Sequence, residues 1–334
     1  MQANTSYTSS TITMLNSVNV SDEIRKSGQE DIVFIHIPKT GGTNIACMMK
    51  AISADSSKAA DSSKGADSPK AVFNHRFSVK RLEGVSPNLF KRGTMGGYPS
   101  QDALETVKAH HSPRFISGHM PTGLIEEGGF KGRYISLVRK PVERAVSSIN
   151  FDYQRGYIAS KDVETYASAT MIDNLQTRLI AGKHHMDGEC TEETCRAAVS
   201  RIKNDFLFVA PTEATNTVTA LVATLYGEEK VASARFQVTG EKLYNEKSPP
   251  EPLKSILTER NQFDTRLYDH VVQEWQLFKN SHITEVQPGS AEEGTYLTLP
   301  PDMLMTKEWK RLTAHEINEH NNKVDGSLMR FRQL

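Results

Sequence analysis

The stretch DIVFIHIPKTGGTN, residues 31–44, decides how the rest of the chain is read. Residues 32–37, IVFIHI, form a short apolar run rich in β-branched side chains, the pattern of a central strand buried on both faces. The run stops at Pro38. A lysine, two threonines and two adjacent glycines follow, and then TNIACMMKAI reads as a helix. A strand, a tight glycine turn and a helix make an anion site for a physical reason. The first backbone N–H groups of a helix have no partner inside it, and the aligned peptide dipoles put partial positive charge at that end. Gly41 and Gly42 let the backbone curl closely around an anion, Lys39 adds a point charge, and Thr40 and Thr43 add hydroxyl donors. PKTGGT is therefore built as a phosphate cradle, although glycine turns of this kind also serve as plain strand-to-helix connections. It is not a Walker A loop, whose G-x-x-x-x-G-K-[ST] string is absent, and the dinucleotide pattern G-x-G-x-x-G is absent too.

Outward from that turn, strands alternate with helices. RFISGH (114–119) and RYISLV (133–138) read as strands, and KPVERAVSSINFDYQRG follows the second as a helix with Pro141 in its first turn. SQDALETVKAHH reads as a helix before them. TMIDNLQTRLIAG, TEETCRAAVSRIK and TEATNTVTALVATLYG read as helices after them, with the short strand FLFVA at 206–210. Residues 255–278 read as one or two amphipathic helices, and a final helix is expected around TKEWKRLTAHEINEH. The alternation predicts an α/β fold, a doubly wound parallel sheet flanked by helices, with a mostly helical second half. Residues 1–29 are polar and Ser/Thr-rich and are expected to be a flexible arm. The unit ADSSKA recurs with small changes three times over 54–71, offers nothing to bury, and reads as a mobile surface insertion. The expected organisation is an arm (1–29), one domain (30–280) and a C-terminal extension (281–334).

The chain has 334 residues, and its 40 lysines and arginines balance 40 aspartates and glutamates. The basic excess of a duplex-binding protein is missing, so no nucleic-acid partner is expected. No apolar run reaches the roughly 18 residues of a membrane span. Residues 1–26 show neither a basic n-region nor a continuous apolar core, and three cysteines are too few for a disulfide framework. The expectation is a soluble cytoplasmic protein.

IHIPKTGGT resembles the 5′-phosphosulfate loop of sulfotransferases that use 3′-phosphoadenosine-5′-phosphosulfate. It is closest to the carbohydrate branch that includes the heparan sulfate and uronyl 2-O-sulfotransferases and bacterial relatives. LVRKPVERAVSS resembles that family's 3′-phosphate motif, with Arg139 and Ser147 eight residues apart. Physically, Arg139 leaves the end of a strand, where its fork can meet a phosphate, and Ser147 on the next helix can add a hydroxyl. Arg144, on the same helix, reads as a structural ion-pair residue. FISGHMPTGL resembles the SGH-x-P-x-GL segment of the same branch, whose histidine is the catalytic base; here that residue is His119. The animal 2-O-sulfotransferases carry another histidine two positions earlier, where this chain has Ser117. NLQTRLIAG (174–182) matches a helix common in the branch and reads as mainly structural, with Asn174, Gln176 and Arg178 able to face an acceptor. FQVTGEKLY (236–244) resembles the segment that closes over the nucleotide, which makes Thr239 and Lys242 cofactor contacts.

The resemblance covers roughly residues 31–280 and implies a P-loop-like fold and in-line transfer of a sulfuryl group to a hydroxyl or amine of a saccharide or small-molecule acceptor. It implies His119 as base and Lys39 as the charge on the leaving oxygen. The loop amides from Thr40 through Gly41, Gly42 and Thr43 to Asn44 would hold the 5′ phosphate, and Arg139 and Ser147 the 3′ phosphate, with no metal required. An unperturbed imidazole near pKa 6.5 suits the base.

Other features read as decoys. HEINEH (315–320) resembles the zinc motif H-E-x-x-H, but its second histidine is one position late, and five residues on a helix turn the rings roughly 140° apart. Cys190 and Cys195 lack a second pair and read as free thiols, and the paired histidines at 110–111 and 184–185 read as solvated helix ends. His75 has nothing independent to support an acceptor role. Two rival readings stand beside the sulfotransferase: a nucleotide kinase of the same architecture, disfavoured by the missing Walker lysine, and a nucleotide-binding relic that has lost catalysis.

Overall fold

Residues 32–35 alternate strictly between two apolar layers, and this alternation makes them the middle of the molecule. The structure, a computed structural model, describes residues 12–27, 30–46, 48–49, 73–76, 114–127, 132–154, 156–228, 230–234, 242–284, 295–298 and 310–313. Its central sheet has five strands, β1 (Ile32–Ile35), β2 (Phe73–Arg76), β3 (Arg114–Gly118), β4 (Arg133–Val138) and β5 (Phe206–Pro211). Their spatial order is β2-β3-β1-β4-β5, and every neighbouring pair is parallel. This is the α/β architecture with a parallel sheet flanked by helices that the alternation of elements predicts.

On one face, Ile32, Phe34, Ile135, Leu137 and Phe208 meet Ile45, Met49, Val218 and Leu221. The last two come from α4 (Thr215–Leu225). On the other, Val33, Ile35, Tyr134 and Val209 meet Leu179, Ile202 and Leu267. These come from α2 (Leu175–Ala181), α3 (Glu192–Asp205) and α6 (Gln262–His282). The helix α6 runs along the outer strand β5 and gives Trp275 to one layer and Leu267 and Val271 to the other, which covers that edge of the sheet. A third cluster joins α1 (Pro141–Gln154) to α5 (Glu251–Arg260) through Val146, Ile149, Leu253 and Leu257.

Two expectations are corrected. Residues 12–27 of the expected N-terminal arm are folded. Ile12–Asn16 pairs antiparallel with Lys230–Ala234, Asn19–Val20 pairs with Ile283–Thr284, and Asp22–Ser27 is a helix. Leu15, Val18, Val20 and Ile24 are all buried in the first apolar layer. Ser/Thr-rich composition concealed this alternation of buried and exposed positions. The boundaries expected at 29 and 280 therefore cut through a single layer. Second, Lys310–Thr313, inside the expected final helix, is a strand paired with Thr295–Thr298. The run at 255–278 resolves into two helices, α5 and α6, separated at Asn261. The repeat at 54–71, the expected helix at 100–111 and HEINEH lie outside the described residues.

Candidate active site

The chain leaves β1 toward β3 on one side and later passes from β4 to β5 on the other. The carboxyl ends of β1 and β4 therefore border the point where strand order reverses, the place where open α/β sheets form a ligand crevice. Residues 36–43 leave β1 there, and Arg139 leaves β4. The two meet directly: Arg139 Nη1 donates to the Lys39 carbonyl at 3.4 Å.

The β1 turn is shaped by backbone geometry. Gly41 has φ +83° and Lys39 has φ +70°, a left-handed conformation that a side chain adopts only under strain of about 1 kcal/mol or more. A Cβ at Gly42 would stand 2.5 Å from Phe34 Cζ and 2.6 Å from His36 Cδ2, so only glycine lets the turn lie against those rings. Residues 43–46 are helical, and the first amides of a helix have no partner inside it. Thr40 is fully buried, and its hydroxyl donates to the Ile37 carbonyl at 2.8 Å, so Thr40 offers an anion its backbone amide only. Asn44 is buried and donates to Thr219 Oγ1 at 3.0 Å, anchoring the new helix to α4. Thr212, just after β5, ties the loops together: its hydroxyl lies 2.9 Å from the Thr40 carbonyl and 3.0 Å from the Val138 carbonyl.

One stripe of α1 faces this turn. Glu143, Ser147 and Phe151 are spaced by four residues and share a helix face. Phe151 carries the Lys39 ammonium 4.7 Å above its ring, and Glu143 Oε2 lies 3.5 Å from Arg139 Nη2. Ser147, between them, is buried on the same stripe. Burial lowers Lys39 from 10.5 to about 8; the Glu246 charge opposes this and the Arg139 charge adds to it. Arg139 also meets Glu246 Oε2 at 2.5 Å, and Lys242, largely exposed, lies 3.2 Å from Glu246 Oε1. Thr239 lies outside the described residues.

His119 follows β3 on the opposite side of β1. Its Nδ1 lies 2.5 Å from the His36 carbonyl. A carbonyl can only accept, so Nδ1 carries the proton and Nε2 is the basic nitrogen. The His119 ring sits 4.5 Å from the His36 ring, which in turn stacks on Phe34 at 5.3 Å. A ring held by a hydrogen bond and a tilted ring neighbour presents that nitrogen in a fixed direction.

Residues 29–192 match the family model described as a sulfotransferase domain. The matched stretch contains the β1 turn, His119, Arg139 and Ser147. No curated protein matches the chain in sequence. Among solved structures, retinol dehydratase with androsterone and inactive cofactor PAP aligns at 13% identity over 91% of this chain and 82% of its own, TM-score 0.29. Retinol dehydratase with retinol and PAP aligns at 11% identity over 92% and 86%, TM-score 0.31.

Behind the crevice, the segment 174–182 is structural, as its sequence suggests. Asn174 Oδ1 accepts from the Phe263 and Asp264 amides, capping α6. Asp264 in turn accepts from the amides of Gln176 and Thr177 and from the Thr177 hydroxyl, capping α2. Arg144 is fully buried; burial lowers its pKa, and the Asp264 charge opposes this. Gln176 clamps the backbone of Arg139, accepting from its amide at 2.8 Å and donating to its carbonyl at 2.9 Å. Sequence reasoning missed Thr212, Glu246 and Phe151, and gave Gln176 no part in placing Arg139. Among the described residues no group of three or more histidines, cysteines and carboxylates could hold a metal ion, and no helix is long and apolar enough to cross a membrane.

Proposed function

We propose that this chain transfers a sulfuryl group from 3′-phosphoadenosine-5′-phosphosulfate to a hydroxyl (or amine) of a saccharide or small metabolite, a reaction of the EC 2.8.2 type. What carries the reading is the convergence of Lys39, Arg139 and His119 on the loops beside β1, within a stretch that matches the sulfotransferase domain. The strained glycine turn and its paired cations fit an elongated, multiply charged nucleotide: Cβ-free backbone at 41–42, helix amides at 43–44, and the guanidinium of Arg139. We assign the 5′ side to the turn amides and Thr43, and the 3′ phosphate to Arg139 and Ser147, with Lys242 and Thr239 as further contacts.

When bound, the nucleotide supplies an electrophilic sulfur and a phosphate leaving group. The rest of the chemistry belongs to the chain. His119 keeps its Nδ1 proton on the His36 carbonyl and takes the acceptor proton at Nε2. Lys39, still mostly protonated at neutral pH with its pKa near 8, holds positive charge beside the turn and steadies the negative charge that develops there. Glu143 and Glu246 are both engaged with Arg139, so the acids at the crevice mouth favour cation pairing over the magnesium chemistry a kinase requires. The segment SGHMPTGL supports membership of the carbohydrate branch.

The test is a screen with radiolabelled donor against saccharides and small hydroxyl or amine metabolites. Wild type is expected to label at least one acceptor. His119→Ala is expected to lose about 100-fold or more of the rate while still binding 3′,5′-bisphosphoadenosine. Undiminished transfer by His119→Ala would remove it as the base, and phosphate transfer from ATP would favour a kinase.

A further inference from the structure

We propose that Glu246 is an internal competitor for the 3′-phosphate: its carboxylate holds the cations of that site in the nucleotide-free protein and must leave before a phosphate group can bind. The inference rests on the sulfotransferase reading of the crevice. The Glu246 carboxylate spans two cations brought from distant parts of the chain. Oε2 lies 2.5 Å from Arg139 Nη2, and Oε1 lies 3.2 Å from Lys242 Nζ. Two oxygens of one anion bridging two cations is the pattern in which a phosphate would be held. Burial alone would raise the Glu246 carboxyl, but the hydrogen bond and charge of Arg139, with the charge of Lys242, outweigh it and keep the group ionised. Glu143 adds a second, weaker acid contact at 3.5 Å from the same guanidinium nitrogen.

Glu246 need not be there to keep Arg139 in place. The arginine backbone is already clamped on both sides by Gln176, and its Nη1 reaches the Lys39 carbonyl. Glu246 itself lies in a turn, outside any helix or strand, and its side chain can swing away without disturbing the sheet. A carboxylate carries one charge and a phosphate close to two at neutral pH, so a phosphate facing two cations displaces it. The same exchange runs backward when product leaves: Glu246 returns to Arg139 and weakens the grip on 3′,5′-bisphosphoadenosine, a device that hastens product release. Atoms are not exchanged in this step; only ion partners are.

Calorimetry with 3′,5′-bisphosphoadenosine, 5′-AMP and inorganic phosphate separates the possibilities for wild type, Glu246→Gln and Glu246→Ala. Both variants are expected to bind the bisphosphate roughly tenfold tighter than wild type, with 5′-AMP, which lacks the 3′-phosphate, unchanged. Equal or weaker binding of the bisphosphate by both variants would overturn the proposal and make Glu246 a support for Arg139. If none of the three proteins binds the bisphosphate, the sulfotransferase reading fails, and the phosphate titration still decides the exchange. Tighter phosphate binding by the variants upholds it, and equal binding overturns it.

Discussion

At the mouth of the crevice Arg139 faces two side-chain carboxylates, Glu246 and Glu143. In the helical layer behind it, Arg178 donates to the backbone carbonyls of Asp173, His185 and Gly188 and to both oxygens of the Asp173 carboxylate. The residue type is the same and the consequence is opposite. A guanidinium whose donors end on backbone is fixed, because its partners cannot leave without local unfolding. A guanidinium that meets two side-chain carboxylates can exchange them for a ligand by changes of rotamer. The reciprocal caps of Asn174 and Asp264 belong with Arg178: they lock α2 to α6 and so hold Gln176 where it can grip Arg139. The rear layer holds the Arg139 backbone in place while its guanidinium meets side chains at the mouth.

The sharpest way to break this division is at Asp264. Asp264→Ala removes the cap of α2 and leaves the buried Arg144 without its main countercharge, and it should cost about 3–5 kcal/mol in urea denaturation. A loss below about 1 kcal/mol would show that the rear layer is not the anchor. Gly42→Ala should cost less, about 1–3 kcal/mol, because the new methyl meets the buried Phe34 and His36 rings. It should also shift the His119 imidazole resonances, since His36 holds that ring. Thr212→Val should cost about 1 kcal/mol and loosen the β1 and β4 loops together, measured as faster amide exchange at both.

The smallest effect is at the mouth itself and has the opposite sign. Lys39 falls from 10.5 to about 8 on burial, so between those values the unfolded chain binds more protons than the folded one. Wild-type stability therefore rises with pH across that window. Lys39→Met lacks this slope and should be more stable at neutral pH by under about 1 kcal/mol, the Phe151 contact offsetting part of the burial cost. Its advantage should fade as pH rises toward the ordinary lysine value, as thermal melts across that range would reveal. A neutral-pH loss of stability would mean that Lys39 is a structural cation, like Arg178.

What was legible in the sequence was local. The β1 turn announces itself within six residues, because glycines, lysine and a preceding β-branched run each have one physical reason to be there. Arg139 and Ser147 are legible for the same reason, lying on a strand end and the helix after it. The supports were hidden because their partners are far along the chain. Gln176 grips a residue 37 positions away, Asp264 caps a helix 87 positions away, and Glu246 meets Arg139 across 107. Only the order of the sheet brings these together, and composition carries no trace of it. The folded N-terminal segment was missed differently: Leu15, Val18 and Val20 are buried one at a time along it, and among polar neighbours such scattered apolar residues read as a loose arm.

We propose that the loops after β1 and β4 form a site for a nucleotide bearing both 5′ and 3′ phosphates. The measurement that meets it most directly is calorimetric binding of 3′,5′-bisphosphoadenosine to wild type and Arg139→Ala, with ATP as control. Micromolar binding to wild type is expected, with a loss of about 100-fold or more in the variant, its melting temperature little changed, and weak binding of ATP. Equal binding of ATP and the bisphosphate, or a bisphosphate affinity indifferent to Arg139, would contradict it.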